Sequence, residues 1–186
     1  QNFHELDWAL VRHNEFLDTF VPMTFLGNHD VTRIASRLDD IRHLDHALVV
    51  LLTTGGTPSV YAGDESAYRG VKEERFGGDD AVRPEFGSPS DGMGQLGHDE
   101  FRLHQFLIGL RRRHPWLHAA RTSPLQLTNR QYVYQTRNGG DALVVALNID
   151  DTPFSVSLPE VGFGQGTIVA GSGAPPKDVV SQVKVK

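Results

Sequence analysis

Apolar residues in the first part of the chain are spaced as in a protein that alternates helices with short strands. Between residues 3 and 20 they recur three and four positions apart, with acidic residues near the start, and this predicts an amphipathic helix. The run from Val21 to Leu26 that follows predicts a short buried strand, and Pro22 is tolerated among its first residues.

The alternation continues through a second helix and a second strand. Asp39 and Asp40 precede an apolar stripe that predicts a helix, which ends at Gly55-Gly56 where glycine suits a left-handed cap. Ser59 to Ala62 predicts the next strand. Short loops between helix, strand, helix and strand are typical of a βα-repeat protein, so the predicted fold class is α/β.

The segment from Tyr68 to Leu96 interrupts this alternation. It is rich in glycine and charged residues and has no periodicity, and a loop of this length in a compact domain is usually functional. A third helix is predicted from about Asp99 to His114. The three arginines at positions 111–113 are interpreted as a solvated helix end, where cations favour the helix dipole, in preference to an anion site.

After Pro115 the periodicity changes to two. Residues 131–137 and 142–147, joined by Asn138-Gly-Gly, predict a β-hairpin. Three further strands are predicted at residues 154–158, 167–170 and 179–185. The chain is thus predicted to have two domains, residues 1–117 and an antiparallel β-sandwich or barrel at 118–186. The second domain has no cluster of titratable residues, which favours a structural role over sugar binding.

Composition narrows the class of protein. The chain has 186 residues, 39% of them hydrophobic and 22% charged, as in a globular protein. A net charge of -5 argues against nucleic acid as a partner, and no apolar run is long enough to cross a membrane. The lack of cysteine slightly favours the cytoplasm over secretion. Because residue 1 is Gln, the chain is expected to begin inside a longer gene product or after a cleavage.

Polar side chains follow both predicted strands directly. Asn28-His29-Asp30 comes after the first strand, and Asp64-Glu65 comes after the second. In barrels and parallel sheets the carboxyl ends of the strands present the site, so these positions predict one. Arg33, one turn later, is expected to pair with a carboxylate and to keep Asp30 ionised.

Two other interpretations of these clusters remain open. Asp30 could serve only to cap the following turn, and His29, Asp30, Asp64 and Glu65 could bind a metal ion. No second His or Cys stands at ligand spacing, which argues against the metal site. The sequence has neither a phosphate-binding loop nor a nucleophile elbow.

Several motifs resemble one enzyme family. Phe25-Leu-Gly-Asn-His-Asp30 resembles the FxxNHD motif of the α-amylase superfamily of retaining glycoside hydrolases, and Gly56-Thr-Pro-Ser-Val-Tyr-Ala-Gly-Asp-Glu65 resembles its GTPxxYYGDE segment. Asp79-Asp-Ala-Val-Arg83 keeps the Asp and Arg of the family's DPxxR loop, and residues 107–117 resemble its last barrel helix. The resemblance implies the C-terminal portion of a (β/α)8 TIM barrel followed by the family's C-terminal β-domain.

The resemblance also implies roles for single residues. Asp30 matches the family carboxylate that binds sugar hydroxyls and favours the oxocarbenium-like state. His29 matches the substrate-binding His beside it. Asp79 and Arg83 match a clamp for the outer hydroxyls of the glucose. The predicted site has one catalytic residue and five substrate-binding residues: Asp30, and His29, Asn28, Arg33, Asp79 and Arg83.

The family's nucleophile and acid/base motifs are absent from the sequence. They are expected upstream, so this chain by itself is expected to be inactive. No cofactor is expected in this chain, whereas calcium is possible in the parent enzyme. The barrel fragment is expected to need the remaining barrel residues or a second copy to cover it.

The resemblance implies hydrolysis of α-glucosidic bonds in α-glucans or malto-oligosaccharides by retaining double displacement. Two alternatives stay open: a transglycosylase or isomerase of the same family, of the trehalose synthase or glucanotransferase type, and a non-catalytic carbohydrate-binding or scaffold relative.

Overall fold

The protein folds as two compact units. One comprises Gln1–Glu15 and Arg121–Lys186, and the other Phe16–Ala120. This computed structural model describes residues 2–83, 85, 94–169, 177–180 and 182–185. None of the helices in those ranges is long and apolar enough to cross a membrane.

The unit at residues 16–120 contains two short parallel strands. Strand β1 (Met23–Phe25) pairs with β2 (Thr57–Ser59), so that Met23 lies opposite Thr57. The predicted strand at 59–62 is therefore placed too late. The chain leaves the strand after Ser59 because a turn begins at Tyr61, whose carbonyl accepts the Asp64 N–H at 2.9 Å.

Helices connect and follow these strands. After β1 come α2 (Ile34–Arg37), a 3-10 turn and α3 (Leu44–Thr53), and α4 (Gln95–Arg113) follows β2 at a distance in the chain. The apolar stripe of α3 is buried as its spacing predicts, at Leu44, Leu48, Leu51 and Leu52. Asp40 caps the 3-10 turn by accepting the Arg42 N–H.

Arg111 joins α4 to the end of α3 and the start of β2. Its guanidinium donates to the carbonyls of Leu52 at 3.1 Å and Thr54 at 2.8 Å, and also to that of Gly56. The interpretation of this arginine as a solvated helix end is wrong. Helix ends leave carbonyls without partners, and Arg111 supplies the donors that those of α3 need.

Strand β1 is exposed. The sequence predicts burial for residues 21–26, but 65% of the Met23 surface is accessible and Val21 and Phe25 are exposed too. A parallel strand is buried when neighbours cover both of its edges and both faces. Within the described residues β1 pairs with β2 alone, which leaves one edge and much of its apolar surface uncovered.

The other unit contains antiparallel strands. Strands β3 (Arg121–Leu127), β4 (Gln131–Asn138) and β5 (Asp141–Asn148) form one sheet in that order. The predicted hairpin is confirmed, with Gly139 in its turn at a φ of 58°. Two more pairs complete the described strands: β6 (Phe154–Ser157) with β9 (Gln182–Val185), and β7 (Gly166–Ile168) with β8 (Lys177–Val180).

Helix α1 (Phe3–Phe16) packs with these strands through residues 3–15. The Phe3 and Tyr132 rings lie 5.7 Å apart, and the Tyr132 hydroxyl donates to Asp7 at 2.8 Å. Asn14 binds the Thr122 backbone through both its amide groups. These contacts place the first helix with the C-terminal strands. The residues described form a mixed α/β chain.

Candidate functional site

The turn after β1 presents Asp30 to solvent. The Asn28 side-chain carbonyl accepts the Asp30 backbone N–H at 2.8 Å, a contact that bends the chain sharply as the strand ends. The Asp30 side chain is 61% exposed, and that of His29 is exposed beside it. In this arrangement Asn28 shapes the turn that carries the predicted catalytic carboxylate.

Lys72 is the ion-pair partner of Asp30. Its ammonium donates to Oδ1 of Asp30 at 2.8 Å, and this hydrogen bond holds the pKa of Asp30 below its usual value. The prediction that Arg33 pairs with Asp30 and keeps it ionised is wrong. A lysine 42 positions away takes that role.

Arg33 is fully buried and pairs with Asp64. Its Nη1 donates to Oδ1 of Asp64 at 2.8 Å, and its Nε donates to the Val82 carbonyl at 3.0 Å. The guanidinium carbon lies 4.0 Å from the centre of the Tyr61 ring. Because no part of this side chain reaches the surface, we correct its predicted role as a substrate contact: it ties Asp64, five residues after β2, to the loop at Val82.

Burial of this pair also affects Asp64. Removal from water raises the pKa of the Asp64 carboxyl, and the hydrogen bond from Arg33 opposes that rise. A buried pair of this kind is costly to break, because either partner alone would be an uncompensated charge.

Arg83 connects the second predicted motif to the first. Its Nη2 donates to Oδ2 of Asp79 at 2.7 Å, and its Nε donates to the backbone carbonyl of His29 at 3.1 Å. The loop that carries Asp79 and Arg83 is thus attached to the turn after β1. The structure brings together Asp30, His29, Asp79 and Arg83, whereas Arg33 lies in the interior.

Lys72 is the site residue that sequence reasoning missed. Its Nζ lies 3.8 Å from Oδ1 of Asp79, in addition to its bond with Asp30. It belongs to a loop without periodicity, and no motif marks it. Lys72 is found only from the structure, in which its loop lies next to the turn after β1.

Gly70 lies close to Ala81 in the same loop and is bonded to the segment that follows Asp30. A Cβ added to Gly70 would lie 1.9 Å from the Ala81 carbonyl oxygen, so only glycine fits. The carbonyl of Gly70 accepts the Arg33 N–H at 3.0 Å, and its own N–H donates to Ser36 Oγ at 3.0 Å.

The metal interpretation finds no support in these contacts. In the described part of the chain, no three His, Asp or Glu side chains are arranged to hold a metal ion. Asp64 is engaged with Arg33, and the Glu65 carboxylate accepts the Gly63 N–H at 2.8 Å.

Comparison with known proteins gives the family. Residues 2–122 match the family described as alpha amylase, catalytic domain. The chain is 32% identical over 136 residues to a cyclomaltodextrin glucanotransferase of Geobacillus stearothermophilus, a match covering 73% of this chain and 17% of the relative. A second such enzyme, from Bacillus sp. (strain 38-2), is 28% identical over 165 residues, which are 88% of this chain and 20% of the relative. The chain thus spans about one fifth of the length of these curated relatives.

Solved structures show the same fold. The trehalulose synthase MutB in complex with Tris matches the whole chain with a TM-score of 0.78 at 17% identity, over 45% of its own length. The gamma-cyclomaltodextrin glucanotransferase of alkalophilic Bacillus clarkii matches 84% of the chain with a TM-score of 0.64 at 23% identity, over 22% of its own length. With the catalytic-domain match extending over residues 2–122, this chain belongs to the α-amylase family.

Proposed function

We propose that this chain is the C-terminal part of an α-amylase-family enzyme that cleaves α-glucosidic bonds in α-glucans or malto-oligosaccharides by retaining double displacement. Family membership implies that residues 16–120 are part of a (β/α)8 barrel, and the C-terminal strands are proposed to form the family's β-sandwich domain. The observation that carries the proposal is the assembly of Asp30, His29, Asp79 and Arg83 beyond the carboxyl end of β1. In barrel enzymes this end of the strands carries the active site.

The electrostatics of Asp30 suit a stabilising role better than that of an acid catalyst. A general acid needs a raised pKa so that it carries a proton at the working pH. Lys72 instead lowers the pKa of Asp30 and keeps it ionised. An ionised carboxylate can accept hydrogen bonds from sugar hydroxyls and stabilise the positive charge of an oxocarbenium-like transition state.

Asp79 and Arg83 are proposed to hold the same glucose from another side. Their ion pair presents both an acceptor and donors to sugar hydroxyls, and both side chains reach solvent. His29, exposed beside Asp30, is proposed as a further hydroxyl contact. The nucleophile and the acid/base, which a retaining mechanism needs about 5–5.5 Å apart, are proposed to come from parts of the enzyme outside this chain. Calcium, if the parent enzyme binds it, is proposed to be held there too.

Transfer to a sugar acceptor is the second candidate. It is favoured by the names of the relatives, since the two curated relatives described above are cyclomaltodextrin glucanotransferases. Hydrolysis and transfer share the glycosyl-enzyme and differ in whether water or a sugar attacks it. A non-catalytic scaffold is the third candidate, and the clustered Asp30, Asp79 and Arg83 argue against it because binding to a structural partner requires no such set.

Kinetics of the full-length enzyme on a malto-oligosaccharide test the proposal. Asp30→Asn should lower kcat about 10³-fold, as expected for a contact made mainly in the transition state. Asp79→Ala and Arg83→Ala should act mainly by raising KM, because they remove ground-state contacts to the sugar. Asp99→Asn, at a residue that is 57% exposed on α4, is the control and should leave both constants unchanged.

Product analysis separates the candidates. Release of glucose and shorter maltosides indicates hydrolysis, whereas longer or cyclic products indicate transfer. Near-normal kcat in Asp30→Asn would remove Asp30 from the active site. A full-length protein that binds maltosides without cleaving or transferring them would favour the scaffold.

A further inference from the structure

We infer that Lys72 is a positioning residue of the proposed active site, whose ammonium group holds the carboxylates of Asp30 and Asp79 in one fixed arrangement. The inference rests on the proposed function and extends it to a residue outside the recognised motifs. Its Nζ lies 2.8 Å from Oδ1 of Asp30 and 3.8 Å from Oδ1 of Asp79.

The backbone around Lys72 is itself held in place. The Lys72 N–H donates to Thr32 Oγ1 at 3.0 Å, two residues after Asp30. The preceding Gly70 is bonded to Arg33 and Ser36, so the segment 70–72 runs beside the segment 32–36. The lysine side chain therefore starts from a fixed point, which reduces the conformational freedom lost when it binds Asp30.

Positive and negative groups alternate across the site. Arg83 binds Asp79, Lys72 lies between Asp79 and Asp30, and Arg83 also holds the His29 carbonyl. Without the lysine, the carboxylates of Asp30 and Asp79 would face the same space, and the Arg83 guanidinium is paired with Asp79. Like charges so placed repel and raise the pKa of one carboxyl.

Lys72 thus acts on the sugar through Asp30. Asp30 needs both a negative charge and a fixed orientation to stabilise a developing oxocarbenium ion. The ammonium supplies both, and it can turn a third N–H towards solvent or a bound sugar. Besides Asp30 and Asp79, Glu74 faces Lys72, while His29 and Arg83 face Asp30.

The test is a double-mutant cycle in the full-length enzyme. Lys72→Met should lower kcat/KM about 5- to 20-fold, mostly through kcat, since the exposed pair is screened in water and less so beneath a bound sugar. Lys72→Arg should restore much of the loss. In an Asp30→Asn background the added Lys72→Met change should cost less than about twofold, because its target is no longer charged.

The pH profile gives a second readout. Because Lys72 lowers the pKa of Asp30, Lys72→Met should let that pKa rise and move the acid limb of kcat/KM to higher pH. Arg75→Met is the matched control. Arg75 is a cation in the same loop that pairs with Glu73, and its loss should change neither the rate nor the profile.

The outcomes distinguish a failure of the proposed function from a failure of the proposed role of Lys72. An unaltered enzyme without activity on α-glucosidic bonds overturns the proposed function, and the role of Lys72 with it. An active enzyme that loses activity with Asp30→Asn but keeps it with Lys72→Met overturns the role of Lys72 alone. Equal effects of Lys72→Met in the two backgrounds overturn it as well, because the lysine would not then act through Asp30.

Discussion

Replacing Glu100 by Gln should change how the stability of the protein depends on pH. The Glu100 side chain on α4 is 1% exposed, and neither of its carboxyl oxygens accepts a hydrogen bond from the residues described. Burial, reinforced by the carboxyl of Asp45, raises the pKa of Glu100 to about 8. The folded protein therefore carries a proton on Glu100 at neutral pH.

The size of the effect on the free energy of unfolding follows from the difference between the pKa of Glu100 in the folded and unfolded states. The carboxyl of an unfolded chain has a pKa of 4.5, so between about pH 4.5 and 8 only the folded state binds the proton. Stability then falls as pH rises, by up to about 1.4 kcal/mol per pH unit. The full loss is on the order of 5 kcal/mol. A glutamine at this position has the same shape without the titration.

Melting temperatures of the full-length enzyme at pH 5, 7 and 9 provide the assay. Glu100→Gln should match the unaltered protein at pH 5 and exceed it increasingly towards pH 9. Glu15→Gln, at an exposed carboxylate on α1, should give a difference that does not change with pH. If the advantage of Glu100→Gln were the same at all three pH values, or absent at pH 9, the assignment of a protonated Glu100 would be wrong.

Three further predictions concern stability and assembly. Arg111→Met should destabilise the protein by about 2–4 kcal/mol in chemical denaturation, since two carbonyls at the end of α3 and that of Gly56 before β2 lose this donor. The exposed Arg112→Met should leave the stability unchanged. Arg33→Met should lower the free energy of unfolding by about 3–5 kcal/mol, because it leaves the buried carboxylate of Asp64 unpaired. Adding Asp64→Leu should recover part of that loss, and equal stabilities of the single and double variants would contradict this. The isolated chain should cleave no maltoside and should associate with itself or with other polypeptide through the exposed β1; light scattering that finds a stable, compact monomer would contradict the second point.

The local pattern of the sequence determines much of the secondary structure. The stripe from Leu44 to Leu52 and the hairpin at residues 131–148 appear as predicted, because a period of 3.6 or 2 places apolar side chains on one face whatever the neighbours are. The motif around Asp30 likewise indicates the end of a strand, and the structure has β1 ending at Phe25. The sequence also identifies the family, since its motifs stand in the family's order.

Tertiary structure decided which charged groups meet. The position of Arg33, one turn after Asp30, predicts that the two residues pair, but the Arg33 side chain enters the interior and binds Asp64, 31 residues later. Lys72 reaches Asp30 because the segment 70–72 runs beside residues 32–36, where its own N–H donates to Thr32 Oγ1. Likewise, α1 lies with the C-terminal strands through contacts such as that between Asp7 and Tyr132, which are 125 residues apart. Sequence patterns report the faces of single elements, whereas ion pairs between distant segments depend on how those elements pack, and no local period encodes that packing.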